Sequence, residues 1–139
     1  MMDQTSFDAH CGSLTATFMV EQWYGAHVWK VGNEDDNKVF ALSTFWSGKH
    51  GESSDNERQH GIVFRVSPTS FAMLTEQPGI AQAPYFAKGN WVRVVAASPL
   101  TSGDIATYVS EAHRLVASTL KKRVKSTLGL LEPVSRPPP

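Results

Sequence analysis

Residues 27–46 read HVWKVGNEDDNKVFALSTFW, and this stretch decides the class of fold. Its two ends, residues 27–31 and 38–46, are rich in β-branched and aromatic side chains, whereas residues 32–37 between them are polar. Apolar runs separated by a turn that contains glycine and asparagine are typical of two antiparallel strands. The stretch therefore predicts a β-hairpin whose loop is longer than the two-residue minimum.

The rest of the chain places further strands and helices on either side of this hairpin. The sequence predicts two more strands, over residues 61–66 and 91–96, and three helices, over residues 5–15, 67–77 and 101–127. Residues 18–22 are apolar without a clear period, and residues 80–89 and 47–60 are predicted to be loops. The order α-β-β-β-α-β-α predicts an α+β, two-layer sandwich, with an antiparallel sheet of four or five strands and the helices on one face.

Length and composition favour one globular domain. The chain has 139 residues, of which 41% are hydrophobic and 19% charged, which suits a folded domain rather than a disordered segment. We expect a single domain over residues 1–130 and a proline-rich tail over residues 131–139. A single cysteine cannot form an internal disulfide. The sequence shows neither a signal peptide nor an apolar run of bilayer length, so we expect a cytoplasmic protein with no membrane partner.

Charge is distributed unevenly although the formal net charge is zero. Residues 1–60 contain four Lys and Arg against nine Asp and Glu, which gives −5, and residues 61–139 contain nine against four, which gives +5. Such asymmetry indicates a polar partner or dipolar self-association. The neutral total argues against strong unspecific attraction to nucleic acid.

Several strings, in this order and spacing, resemble the YjbR/MmcQ-like family. They are VWKVG at 28–32, KVFAL at 38–42, GIVFRVS at 61–67, PGIAQAPYFAK at 78–88, WVRV at 91–94, AHRLV at 112–116 and LKK at 120–122. The resemblance covers roughly residues 5–130 and implies a two-layer α+β fold, compared with frataxin-like and secretion-chaperone-like folds. It also implies DNA binding, the function commonly assigned to members. Two departures from the family pattern are the long loop over residues 47–60 and His113, which stands where a serine is common.

The densest basic run consists of Lys121, Lys122, Arg123 and Lys125. Four neighbouring cations can neutralise phosphates, and the resulting binding weakens as salt rises. The alternative is structural, because cations in a last helical turn stabilise the helix dipole and its free carbonyls. Under the DNA-binding hypothesis these four side chains are leading contacts.

A second candidate surface combines aromatic and basic side chains. Alternation along the strand that begins at Trp91 predicts that Trp91 and Arg93 lie on the more exposed face of the sheet. The residues expected to join them there are Lys30, Lys38, Arg65, Lys88, Tyr85 and Phe86. Aromatic rings could stack on bases while cations hold the backbone. The alternative is a structural cation–π pair on an ordinary polar outer face.

The sequence offers no recognisable catalytic, metal or cofactor motif. The acidic turn at residues 34–36 does not match a calcium loop, and the five histidines lack zinc spacing. We therefore expect a non-enzymatic protein without metal or cofactor. The family resemblance implies double-stranded DNA as the partner, and because no base-reading helix is evident we expect backbone contacts with weak sequence specificity. Two alternatives stay open: a protein-binding or chaperone-like adaptor, and a small-ligand or catalytic domain that uses residues 47–60 as a lid over the sheet near Trp91.

Overall fold

The computed structural model describes residues 1–22, 25–46, 59–86 and 89–130. The strands are β1 (Thr17–Gln22), β2 (Ala26–Gly32), β3 (Asn37–Trp46), β4 (Gln59–Arg65), β5 (Ile80–Gln82) and β6 (Trp91–Val95). The helices are α1 (Gln4–Gly12), α2 (Pro68–Leu74), α3 (Ser102–Ala117) and α4 (Lys122–Leu128). The predicted tail at residues 131–139 lies outside the described residues.

The strands form one six-stranded sheet in the order β1-β2-β3-β4-β6-β5, and every neighbouring pair is antiparallel. The predicted hairpin is confirmed as β2 and β3, which meet at the pair Gly32 and Asn37. Their register shifts at Trp29 and Lys30, which leaves Phe40 as an extra residue on β3. The α+β class and the antiparallel sheet are thus confirmed, with more strands than the four or five predicted.

The two strands that the sequence did not predict are β1 and β5. Strand β1 lies at an edge of the sheet, and each of its residues is at least partly exposed. Neither face of this strand is fully buried, so its sequence lacks the alternation of apolar and polar residues that marks a strand. Strand β5 has three residues, too few to show a period at all. The predicted loop at residues 47–60 is also wrong at its end, because Gln59 and His60 already pair with β3.

The long C-terminal helix that was predicted to run to about residue 127 is two helices. The hydroxyl of Ser118 donates to the carbonyl of Leu115, and that of Thr119 donates to Val116, both at 2.7 Å. Side chains that bond the preceding turn compete with continuation of the helix. Lys121 then adopts an extended backbone (φ −58°, ψ 142°) before α4 begins.

Three helix boundary signals in the sequence are confirmed. Thr101 and Asp104 form the predicted capping box at the start of α3. Ser67 caps α2, with Pro68 at the first helical position. Gly129 ends α4 in the left-handed conformation (φ 73°).

The main core lies between the helices and one face of the sheet. All four described helices contribute to it, and its largest fully buried side chains include Phe7, Phe40 and Phe64. Phe64 on β4 stacks on Tyr108 of α3, with ring centroids 5.9 Å apart. A smaller apolar cluster lies on the opposite face of the sheet, here called the outer face, and consists of Ala26, Val28, Leu42, Val63, Ala83 and Trp91.

Cys11 lies in the main core and is fully buried. Burial, and secondarily the Asp8 carboxylate, raises the pKa of its thiol well above the ordinary value. We expect no reaction with a thiol reagent such as 5,5′-dithiobis(2-nitrobenzoate) under native conditions, and one equivalent of reaction in denaturant. Rapid modification of the native protein, measured by absorbance, would contradict this packing.

Candidate functional site

One group of predicted site residues gathers at a single end of the molecule. Lys38 is the second residue of β3 and lies on the helix side of the sheet, opposite the core residue Val31, so its predicted place on the outer face is wrong. Its Nζ lies 3.1 Å from Oγ1 and 3.3 Å from the carbonyl oxygen of Thr119. That contact places Lys38 beside the segment that carries the basic run. We call the set Lys38, Lys121, Lys122, Arg123 and Lys125 the basic end.

The basic end is built on the turn between β2 and β3. The side-chain oxygen of Asn33 accepts from the backbone N–H groups of Asp35 (2.9 Å) and Asp36 (3.2 Å), which fixes the turn. Gly32, at φ 132°, permits the close approach of the Asp36 carbonyl, which would lie 2.2 Å from an added Cβ. The carboxylate of Asp36 then accepts from the backbone N–H of Lys121 at 2.7 Å. The turn therefore holds the start of α4 in place.

Two of the cations also satisfy the end of α3. Lys125 Nζ donates to the carbonyl of Ser118 at 3.0 Å, and Lys38 donates to that of Thr119. Carbonyls at a helix end lack intrahelical partners, so nearby cations stabilise them. Lys38 and Lys125 thus stabilise the end of α3, and both still reach solvent, since Lys38 is exposed and Lys125 half-buried. The predicted position of the basic run in a last helical turn is wrong, because Lys121 precedes α4 and Lys122 and Arg123 begin it.

The remaining cations of the basic end face solvent. Lys121, Lys122 and Arg123 are exposed, and no side-chain hydrogen bond of either lysine occurs within the described residues. Arg123 approaches Asp35 at 3.8 Å, but both side chains are more than half exposed, so this ion pair contributes little. The acidic turn lowers the positive charge of this end without covering it.

The second group of predicted residues lies on the outer face, where the sequence-based expectation of exposure is wrong. Trp91 is only 8% and Arg93 only 7% exposed. Alternation placed them on the correct face, but this face has its own apolar cluster, so it is not a solvated polar surface. Trp91 packs against Phe86, with ring centroids 4.7 Å apart. Neither Trp91 nor Arg93 presents a free surface on which a base could stack.

The other outer-face residues are less buried. Lys30 is half-buried opposite Val39, which packs on the outer cluster. Arg65 is half-buried opposite Trp91, and its Nε is buried without a hydrogen-bond partner among the described residues. Tyr85 is 83% exposed. Lys88 lies outside the described residues, as do residues 47–58, so the proposed lid has no structural description.

A polar network under α1 was not predicted from the sequence. Asp8 on α1 accepts from Nε1 of Trp29 (2.8 Å) and contacts Nδ1 of His27 (2.7 Å). Beside it, Ser43 Oγ accepts from Gln4 (3.1 Å) and contacts His60 Nε2 at 2.8 Å. His27 and Ser43 are register partners on β2 and β3, a signal that appears only once the hairpin register is known.

The pair of Ser43 and His60 has the spacing of a nucleophile and its base, but Ser43 is completely buried. A nucleophile must reach its substrate. Burial lowers the pKa of His60, and the nearby Asp3 carboxylate only partly offsets this effect. A neutral His60 can accept the Ser43 hydroxyl while Ser43 accepts from Gln4, so the network satisfies buried polar groups.

Because the pKa of His60 is lower in the folded chain, the unfolded chain takes up this proton more readily. We therefore expect the free energy of unfolding to fall as pH drops through the ordinary histidine value of about 6.5. His60→Gln, whose amide can still contact Ser43, should lose part of that dependence. Urea unfolding at pH 7.5 and about pH 5 measures it. An equal pH dependence in the two proteins would contradict this account.

Three further features limit the chemistry open to the described residues. Among them, no group of three or more His, Cys, Asp and Glu side chains is placed to hold a metal ion. None of their helices is long and apolar enough to cross a bilayer. An open groove of about 640 Å³ lies beside the acidic turn and is lined by Phe18, Asn33, Glu34, Asp35 and Asn37. Its acidic lining does not suit an anionic ligand.

The sequence model of the YjbR family matches residues 12–115, well over half of the chain. The chain belongs to the YjbR family. Residue strings in the predicted order thus identified the family correctly. The match falls within the single domain predicted over residues 1–130, whose limits stay a prediction.

Solved structures resemble this YjbR chain over most of its length. A crystal structure of a Deinococcus radiodurans protein with domain DUF419 has a TM-score of 0.73 and 19% identity, covering 98% of this chain and 96% of that one. A Pseudomonas syringae protein has a crystal structure with a TM-score of 0.68 and 21% identity, covering 83% and 99%. A solution structure from Pseudomonas syringae gives 0.61 and 22%, covering 83% and 93%. These likenesses show the fold alone. No curated protein matches the chain.

Proposed function

We propose that this YjbR-family chain is a non-enzymatic protein that binds double-stranded DNA through the basic end. The observation that carries the proposal is the convergence of Lys38 with the basic run at residues 121–125, although 81 positions separate Lys38 from Thr119, which it contacts. The cations of this surface come from two distant parts of the chain, which is more than the capping of one helix end requires. Such a surface matches the repeated negative charge of a phosphate backbone.

The geometry supports backbone contacts rather than base recognition. Helix α4 has only seven residues and carries lysine and arginine side chains without a row of amide side chains. Lysine acts as a point charge toward phosphate and carries no sequence information by that contact. We therefore expect similar affinity for unrelated duplex sequences. Two serine–histidine pairs occur among the described residues, and the burial of Ser43 removes the first as support for nucleophilic catalysis. In the second, His10 Nε2 lies 2.8 Å from Ser110 Oγ, but no described carboxylate bonds the His10 ring to orient it as a base.

The acidic turn should weaken DNA binding, because Asp35 lies 3.8 Å from Arg123 and adds negative charge to the same surface. We expect Asp35→Asn to tighten binding by a few-fold at low salt, since one like charge is removed from the interface. Asp36 is unsuitable for this test because its carboxylate holds the start of α4. Glu76→Gln, at an exposed position after α2, is the matched control and should leave affinity unchanged. Equal affinities for Asp35→Asn and the wild type would contradict the placement.

Lysine footprinting tests where DNA lies. The protein is acetylated briefly with and without saturating duplex DNA, and the modification of each lysine is measured by mass spectrometry. We expect protection of Lys121 and Lys122, which are exposed at the basic end, and no protection of Lys30 on the outer face. Protection of Lys30 with unchanged basic-end lysines would place the DNA on the outer face instead and would refute this assignment.

A further inference from the structure

The two edges of the sheet differ in how they are protected. Strand β5 forms one edge and has three residues, whereas β1 forms the other and has six, Thr17–Gln22. An edge strand presents unpaired backbone groups that can pair with another strand, and proteins limit this by making edges short or by adding lysine or proline. Strand β1 contains neither lysine nor proline, and Glu21 is its single charged residue.

The register of β1 shows which of its backbone groups are open. The Gly32 N–H donates to the Ala16 carbonyl at 3.0 Å, and Thr17 is the Cα partner of Val31. Antiparallel pairs alternate between hydrogen-bonded and non-hydrogen-bonded pairs. Phe18 and Val20 therefore bond to β2, and the backbone groups of Thr17, Met19 and Glu21 point away from the sheet.

Large apolar side chains accompany these open groups. Phe18 and Met19 are each 38% exposed. Phe18 and Val20 lie on the outer face, because Val20 is opposite Val28 of the outer cluster. Met19 lies on the helix side, opposite the core residue Trp29. Both faces of this edge can thus contribute apolar contacts to a second strand.

We infer that β1 pairs with β1 of a second copy of this chain, antiparallel and centred on Met19. In that register Phe18 lies opposite the partner's Val20, an aromatic and β-branched pair of the kind that stabilises sheets. Glu21 lies opposite the partner's Thr17, so the two Glu21 carboxylates are about 13 Å apart along the strands. The chain also has zero formal net charge, so two copies do not repel each other overall. The interface joins two six-stranded sheets into one continuous sheet.

Sedimentation equilibrium over roughly 1 to 300 µM protein tests this dimer. The wild type should pass from monomer to dimer within that range. Met19→Lys places two like charges opposite each other at the two-fold axis and should weaken association by about tenfold or more. The matched control is Met73→Lys, since Met73 is 55% exposed on α2, and it should associate as the wild type does. A wild type that stays monomeric throughout, or equal weakening by both substitutions, would overturn the inference.

A mixing experiment tests the register itself. Met19→Glu should weaken association as Met19→Lys does, and an equimolar mixture of the two variants should restore association, because opposite charges then face each other across the axis. A dimer that forms in the mixture, and with neither variant by itself, supports pairing centred on Met19. Two variants that each keep the native melting temperature but fail to associate when mixed would refute this register.

Discussion

Replacing Phe64 by alanine should lower the free energy of unfolding by about 3–5 kcal/mol. Phe64 is completely buried on β4, between its neighbours β3 and β6, and its ring stacks on Tyr108 of α3. The substitution removes contacts on both layers of the fold and leaves a cavity that the central strands cannot easily close. Because domains of this size are stable by only about 5–15 kcal/mol, we expect the variant to unfold at a markedly lower temperature than the wild type.

Urea unfolding followed by circular dichroism measures this effect. Met73→Ala is the matched control, since Met73 is an apolar residue that is 55% exposed, and its cost should be within about 0.5 kcal/mol. A cost below about 1 kcal/mol for Phe64→Ala would show that Phe64 does not lie at the centre of a packed core.

Replacing Lys121, Lys122, Arg123 and Lys125 together by glutamine should reduce affinity for a DNA duplex by about 100-fold or more at low salt. Each phosphate contact releases counterions when the complex forms, so losing contacts should make the salt dependence of binding shallower. The loss of affinity should be the same for unrelated DNA sequences. The exposed side chains of this run make few internal contacts. Lys125 does bond the Ser118 carbonyl, so the melting temperature of the variant must be compared with the wild type.

Single substitutions provide the matched control for this variant. Lys122→Gln removes one cation from the basic end, and Lys30→Gln makes the same change on the outer face. The first should weaken DNA binding several-fold and the second should have little effect. Equal losses would mean that total charge, and not the basic end, determines binding.

Local sequence signals predicted the parts of the fold that depend on nearby residues. The hairpin of β2 and β3 follows from alternation around a polar turn, and the start of α3 follows from Thr101 and Asp104. The family could be recognised because whole strings and their spacing match, over residues 12–115. The break at Ser118 and Thr119 was missed because their back-bonding to α3 competes with an apolar stripe that continues to Leu120.

Features that depend on distant residues could not be predicted in this way. The basic run at residues 121–125 was visible, but its contact with Lys38 and with the acidic turn depends on how α4 docks. The sequence signal for contact between the basic run and the acidic turn was the opposite net charge of the two halves of the chain. The burial of Trp91 and Arg93 was missed because alternation assigns a face but does not tell whether that face is covered.

The most direct test of the DNA-binding account is fluorescence anisotropy of a labelled random duplex, titrated with the wild-type protein at about 50 and 200 mM salt. With two to four phosphates contacted by the basic end, we expect micromolar or tighter binding at the lower concentration and roughly 10- to 100-fold weaker binding at the higher one. Absence of binding at about 50 mM salt would contradict the account.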